Sequence, residues 1–392
     1  KKKKYCVKLI KKDAYSGQNL SGINFKLSNA TTGVEAGKLA TNNNGEVVFS
    51  NLDYSQNGYW VVEDSGNSSI TSPSNTKVKY WNDNGTPTTK KLDLNASLMV
   101  NGTCPATTTT YTFNDKPVYY CLKIKKVDKA TGEALTGATF TATLGSNSYT
   151  AKTDNSGIAT FMVGTNEGTY TVTETSSPEG YALPANATKQ VAATTMSQNT
   201  TKDQSTQIGY CNAEVNDAVT YTDSKYLLNW YKDTENKAPA KDAKFKVSVG
   251  EESNKKYVKV TDKQNQTDAN GVTKSCYVYA GLTSNENEAS TLLSDTNGEV
   301  CISRVSKETY TVTETNPSKY HTFGRNANKN INTSTVFSTK DSSEDSANNA
   351  NKFVNYDTEF EFTKTVSSGD EEDIKIIING KEKTLKDLTT EE

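Results

Sequence analysis

The sequence predicts an all-β protein made of several small sandwiches in tandem. Three observations carry this. Stretches of alternating apolar and polar residues recur along the chain, and helical periodicity is hard to find. Polar turns rich in Gly and Asn separate those stretches. One long block of residue types also returns at a constant spacing, the signature of repeated units.

The elements of the repeat follow in chain order. Residues 6–22, CVKLIKKDAYSGQNLSG, return as 121–137, CLKIKKVDKATGEALTG, with Cys, Lys, Asp, Gly, Leu and Gly matched. Phe25 then matches Phe140. The turns 41-TNNNGEVVF-49 and 153-TDNSGIATF-161 each lead through a Gly into a strand. A strand with the pattern Tyr-x-Val-x-Glu comes next, as 59-YWVVE-63, 170-YTVTE-174 and 310-YTVTE-314. A last strand closes each unit, read as 111-YTFND-115, 213-AEVND-217 and 353-FVN-355. The expected domains are therefore 1–116, 117–217 and 218–356, the third with a hairpin-like insertion at 262–293. Residues 357–392 begin an incomplete fourth β domain at 360-FEFTKTV-366.

Composition excludes several functions. A chain of 392 residues has room for two to four domains. Its net charge of −2 gives no electrostatic surface for nucleic acid. No apolar run is long enough to span a membrane, and the chain reads as an interior piece of a longer protein. The single histidine, His321, would have to serve any Ser-His-Asp triad, and no nucleophile-elbow pattern surrounds it. No Cys or His spacing suggests a metal, and no glycine loop suggests a phosphate cofactor, so no cofactor and no enzymatic turnover are expected.

The repeated glutamate poses the physical problem. Alternate residues of a strand share a face, so Tyr, Val and Glu of each Tyr-x-Val-x-Glu strand point the same way. If that way is inward, Glu63, Glu174 and Glu314 are buried, which is costly for a lone carboxylate. The first strands bring a partner. Val7, Leu9 and Lys11 share a face, as do Leu122, Ile124 and Lys126. In the third unit one register would place Tyr231 at the lysine position and turn Asn229 inward. The register Leu228, Trp230, Lys232 buries better residues and is preferred. The closing strands turn Asp115, Asp217 and Asn355 inward, with Asn114 and Asn216 as alternates if the register slips by one. A buried lysine tends toward its neutral, nucleophilic form, and a buried acid toward its protonated form. A protonated Glu can polarise the Asp or Asn carbonyl and carry protons. Together the three groups can form a Lys–Asp or Lys–Asn amide once, without turnover. The plainer alternative is a buried Lys–Glu salt bridge.

LKIKKVDKATGEALTGATF, TDNSGIATF and TYTVTETSSPEGY resemble the B-type repeat of the collagen adhesins, also called the SpaA-like pilin domain. The resemblance spans roughly residues 5–356 and is tightest in the second unit. It implies prealbumin-like, or inverse immunoglobulin-like, sandwiches and self-formed isopeptide bonds in the stalks of Gram-positive surface proteins. By motif, the bonding lysines are Lys11, Lys126 and Lys232, the acceptors Asp115, Asp217 and Asn355, and the assisting acids Glu63, Glu174 and Glu314. The pilin Tyr-Pro-Lys motif and the LPxTG sorting signal are missing from this chain. Six cysteines are unusual for the family. Their places in the repeat pair Cys6 with Cys104, Cys121 with Cys211, and Cys276 with Cys301, which fits an oxidising, extracellular location.

The expected function is a structural stalk or shaft of a cell-surface adhesin or pilus, joined to further domains or subunits of a surface fibre. A ligand-binding adhesin module, touching a host or neighbouring cell through Trp60 and Trp81 or through the 262–293 insertion, is the alternative.

Overall fold

A computed structural model describes residues 2–14, 16–63, 69–71, 77–81, 89–92, 97–196, 211–342, 351–357, 375–378 and 381–384. Units one and two are each a pair of packed sheets. In unit one, strands Glu46–Leu52, Tyr5–Asp13, Thr110–Pro117, Lys77–Trp81 and Ser69–Thr71 form one sheet in that order. Glu35–Ala40, Asn24–Asn29, Tyr59–Glu63 and Thr89–Leu92 form the other. Unit two repeats this with Ile158–Met162, Tyr120–Asp128, Thr220–Lys225 and Tyr181–Ala182 against Asn147–Lys152, Thr139–Leu144, Thr169–Ser176 and Thr188–Ala192.

The period-2 pattern explains which way each strand faces. Val7, Leu9, Phe25, Leu27, Tyr59 and Val61 form the core of unit one. Leu122, Ile124, Phe140, Ala142, Tyr170 and Val172 do the same in unit two, and Leu228, Trp230, Phe245, Val247, Tyr310 and Val312 in unit three. Reading the third unit through Leu228 and Trp230 therefore matches the structure. Asn229 and Tyr231, on the opposite face, are buried too, because the segment around Ser338 covers them. Asn229 Nδ2 and Tyr231 Oη both donate to the Ser338 carbonyl, each at 2.9 Å.

Unit three departs from its neighbours in the insertion. A long hairpin, Lys256–Thr267 and Thr273–Thr283, starts earlier than the sequence predicts. It pairs with Lys244–Val249 on one side and Glu299–Ser303 on the other, so the two sheets merge into one ten-stranded sheet. In the fourth segment, Lys375–Ile378 and Lys381–Thr384 form a hairpin, and 360-FEFTKTV-366 lies outside the described residues.

The opening strand of every unit runs parallel to its closing strand. Lys11 lies beside Phe113, Lys126 beside Tyr221 and Lys232 beside Phe353. This corrects the expected end of unit two. Its closing strand is Thr220–Lys225, beyond the boundary set at 217, and residues 213–217 are not in a strand. The units follow each other closely. Only Val118 and Tyr119 separate the closing strand of unit one from the opening strand of unit two, and only Tyr226 separates the next pair. Tyr226 N donates to the Gly180 carbonyl, and Arg304 N donates to the Tyr226 carbonyl, both at 2.8 Å.

A glycine turn fixes each opening strand at its lysine. The amides of Lys11, Lys126 and Lys232 donate to the carbonyls of Gly45, Gly157 and Gly298 at 2.8, 2.7 and 2.7 Å. Gly157 has φ +73°, and a Cβ there would lie 2.5 Å from the Lys126 carbonyl oxygen. Gly157→Ala is therefore expected to destabilise unit two by about 2–3 kcal/mol through combined strain and clash. Denaturant unfolding of the full chain, followed with a unit-two probe, checks this; an unchanged midpoint would refute the clamp.

Candidate functional site

The inward positions of three strands converge at one point in each sandwich. In unit one, Lys11 Nζ lies 2.9 Å from Glu63 Oε2 and 2.5 Å from Asp115 Oδ1. In unit two, Lys126 Nζ lies 2.6 Å from Glu174 Oε2 and makes a short contact with Asp223 Oδ1. In unit three, Lys232 Nζ lies 3.6 Å from Glu314 Oε1, and Asn355 Nδ2 donates to Glu314 Oε2 at 3.2 Å. All three lysines are 0 % exposed, and the Glu, Asp and Asn residues beside them are at most 4 % exposed as whole residues.

Two aromatic rings wall each trio. The residue paired with the glutamate is Phe25, Phe140 or Phe245. The residue beside the lysine is Phe113, Tyr221 or Phe353. Their ring centroids are 5.2, 4.8 and 5.0 Å apart. They keep water from the polar groups, so those groups must satisfy one another.

Electrostatics follow from that burial. Burial pushes Glu63 and Glu174 up to about 7; the lysine opposes the shift, and the neighbouring Asp adds to it. The second oxygen of each, Oε1, is buried without a hydrogen-bond partner, an arrangement suited to a neutral acid rather than a carboxylate. A trio holding one lysine, one aspartate and one protonated glutamate is neutral overall. Moving one further proton from lysine to aspartate leaves an amine against a carboxylic acid. That is the pair from which an amide forms.

Asp217, expected as the acceptor of unit two, is not at the site. It is exposed in the single-turn 3-10 helix Asp217–Val219, and Asn216, the alternate, caps that helix by accepting from Ala218 N at 3.0 Å. Asp223 takes the place, six residues on. The signal that identifies it is the aromatic residue two positions earlier. Phe113, Tyr221 and Phe353 precede Asp115, Asp223 and Asn355 in this way, whereas Val215 precedes Asp217. Asn114, the alternate in unit one, lies on the opposite, exposed face of its strand.

A second buried ion pair lies near the unit-two trio, and the sequence reading missed it. Asp128 Oδ2 is 3.2 Å from Lys225 Nζ and accepts from Tyr181 Oη at 3.1 Å. Burial pushes Asp128 up, but the Lys225 charge and the amides of Ala130 and Thr131 outweigh it and hold the group below the usual carboxylate range. The Lys225 charge first, and the backbone donors with it, thus favour the ionised form of Asp128, whereas Glu174 Oε1 has no donor. In unit three the matching position is Thr234, beside Asn355; the preceding residue, Asp233, pairs with Lys340 at 3.0 Å.

His321 also has partners. Its Nδ1 lies 3.0 Å from Ser318 Oγ and its Nε2 3.0 Å from Asp357 Oδ1. This links Ser, His and Asp, but the ring nitrogens are used in the reverse of the hydrolytic order. Ser318 itself is buried, at 5 % exposure.

Three disulfides are present: Cys6–Cys104, Cys121–Cys211 and Cys276–Cys301. The first two tie an opening strand to the segment before a closing strand. The third ties the inserted hairpin to Glu299–Ser303. Trp60 is 41 % exposed, and its strand neighbours are Ser28 and Lys91. Trp81 ends a strand, and its side chain lies outside the described part of the structure.

Residues 6–93 and 121–207 match the SpaA family, described as a prealbumin-like fold domain. No curated protein matches the sequence. Among solved structures, the TIE protein of Bacillus anthracis is similar at 17 % identity and TM-score 0.43, over 90 % of this chain and 50 % of that one. The chain thus spans half the length of that protein. A point mutant of the shaft pilin SpaA of Lactobacillus rhamnosus GG is similar at 18 % identity and TM-score 0.30, over 62 % and 99 %. BcpA, the major pilin subunit of Bacillus cereus, is similar at 14 % identity and TM-score 0.33, over 91 % and 100 %.

Lys126→Met is expected to leave Glu174 and Asp223 facing each other without a cation. Breaking a buried pair in this way costs about 3–5 kcal/mol. A loss at least that large should appear in chemical denaturation of unit two, and a loss under about 1 kcal/mol would show that the trio carries no such strain.

Proposed function

From the premise that this chain carries SpaA-type prealbumin-like domains in tandem, we propose that it is a structural stalk of a cell-surface adhesin or pilus, locked by self-formed isopeptide bonds. The observation that carries the reading is the fully buried contact of Lys126 with Asp223, flanked by Glu174. The neutral amine attacks the Asp223 Cγ, a C–N bond forms, and the C–OH bond breaks. Glu174 carries a proton from the nitrogen to the leaving hydroxyl, and one water departs. Lys11, Glu63 and Asp115 repeat this in unit one. In unit three Lys232 attacks Asn355 beside Glu314, and the departing group is ammonia. The reaction runs once per site, so the chain is not a turnover enzyme.

The topology gives these bonds a mechanical use. Opening and closing strands are parallel neighbours, so a pull on the two ends of a unit shears their ladder. A bond from Lys126 to Asp223 carries that load directly and leaves residues 127–222 outside the force path. The disulfides add a second closure and fit an oxidising, extracellular setting. Further subunits or domains of a surface fibre are the expected partners, as in the pilins named above. Trp60 is exposed, and its strand neighbours in the ladder are Ser28 and Lys91.

Intact mass tests the chemistry. The native chain should be lighter than its sequence by two waters, one ammonia and the six hydrogens of three disulfides. Asp223→Ala should restore one water, and Asp217→Ala should restore none. A reduced chain at full sequence mass would overturn the reading and leave three salt-bridged or hydrogen-bonded clusters.

Bond formation should also depend on pH. Glu174 must hold its proton, and it does so up to about 7. Newly folded chain should therefore cross-link faster below that pH than well above it. A rate that rises steadily through this range would exclude Glu174 as the proton carrier.

A further inference from the structure

The three acceptors are not chemically alike. Asp115 and Asp223 are acids, and Asn355 is an amide. A carboxamide is the weaker electrophile, and ammonia is a poorer leaving group than water from a protonated acid. Unit three must offset this difference, and its structure holds a feature that unit two lacks.

Asn355 Oδ1 accepts from the Ser318 backbone N–H at 3.0 Å and from Ser318 Oγ at 3.3 Å. The backbone N–H can only donate, so the atom facing it is the carbonyl oxygen. Nδ2 then points to Glu314 Oε2, as observed. Nδ1 of His321 lies 2.7 Å from the Lys319 carbonyl, which can only accept, so Nδ1 carries hydrogen there. Ser318 Oγ is thus free to give its own hydrogen to Asn355 Oδ1. Ser318 and Asn355 are 5 % and 0 % exposed, so both donors act in a dry site.

Unit two has a proline at this place. Tyr181 N donates to the Pro178 carbonyl and His321 N to the Ser318 carbonyl, both at 3.1 Å. Tyr181 also pairs with Lys225, two residues after Asp223, as His321 pairs with Asp357, two residues after Asn355. Pro178 therefore corresponds to Ser318. Proline has neither an N–H nor a hydroxyl. Accordingly, Asp223 Oδ2 is buried without a hydrogen-bond partner.

We propose that Ser318 is a catalytic residue specific to the amide acceptor, binding the oxyanion that forms on Asn355 Oδ1 with its N–H and hydroxyl. This deepens the isopeptide reading for unit three and rests on it. Lys232 Nζ bonds to Asn355 Cγ, and the carbonyl electron pair moves to Oδ1 between the two donors. As it returns, the Cγ–Nδ2 bond breaks, and Glu314 transfers a proton from the lysine nitrogen to Nδ2. The products are one secondary amide and one ammonia. Donors placed where charge develops act strongly in a dry site.

The test is time-resolved mass and peptide mapping of the full chain made by cell-free synthesis under oxidising conditions. Formation of Cys276–Cys301 reports that unit three has folded in each variant. Ser318→Ala should slow the Lys232–Asn355 cross-link by roughly 100-fold, while the unit-one and unit-two bonds form at the original rate. Ser318→Pro should abolish it. Ser318→Pro with Asn355→Asp should restore a cross-link, now with loss of water, as in unit two. If Ser318→Ala cross-links unit three at the original rate, the role of Ser318 is overturned and the isopeptide reading stands. If the unaltered chain loses two waters but no ammonia, unit three forms no bond, and the proposal falls with that part of the reading.

Discussion

Everything in these sandwiches is arranged around one unfavourable act, the enclosure of a lysine head group where no water reaches it. The strand period sets Lys11, Lys126 and Lys232 on the same face as two core residues each. A lysine so placed has to find its partners inside the protein. The glutamate comes from the facing sheet and the acceptor from the parallel neighbour strand. The glycine turn holds the lysine's own backbone, and two aromatic rings close the sides. The core residues therefore serve two ends, since the packing that stabilises the sheet pair also dries the site.

The three units vary this plan within narrow limits. Units one and two set an aspartate beside the lysine and tie the opening strand to a distant segment with a disulfide. Unit three uses an amide, adds the donors of Ser318, and places its disulfide on the inserted hairpin. That hairpin joins two sheets that are separate in unit two. Glu174 and Asp128 show how surroundings separate two buried carboxyls of one unit. Both are buried beside a lysine, but only Asp128 is held by backbone N–H groups that favour its charge.

Much of this was legible in the sequence. The alternation within Val7–Lys11 and Leu122–Lys126 fixes the lysine face, and the repeated Tyr-x-Val-x-Glu fixes the glutamate face. The third register followed from preferring buried Leu228 and Trp230. The unit-two acid was misread because 213-AEVND-217 ends in the same Asn-Asp as 111-YTFND-115 while standing before the strand. Pairing with the opening strand is a non-local fact, and only the aromatic residue two places before the acceptor reports it. The contact of Ser318 with Asn355 was out of reach for the same reason, because it joins a turn to a strand 37 residues away. Lys225 and Asp128 were hidden likewise, 97 residues apart in the chain and adjacent across the ladder.

The joint at Tyr226 has a consequence for the two units that it connects. One residue between two strands, pinned by hydrogen bonds on both sides, contributes almost no slack. Flexible linkers behave as entropic springs and let neighbouring domains swivel. Here the azimuth of one unit about the long axis is passed to the next. A group carried on one unit is thereby held at a set bearing to its neighbour as well as at a set distance.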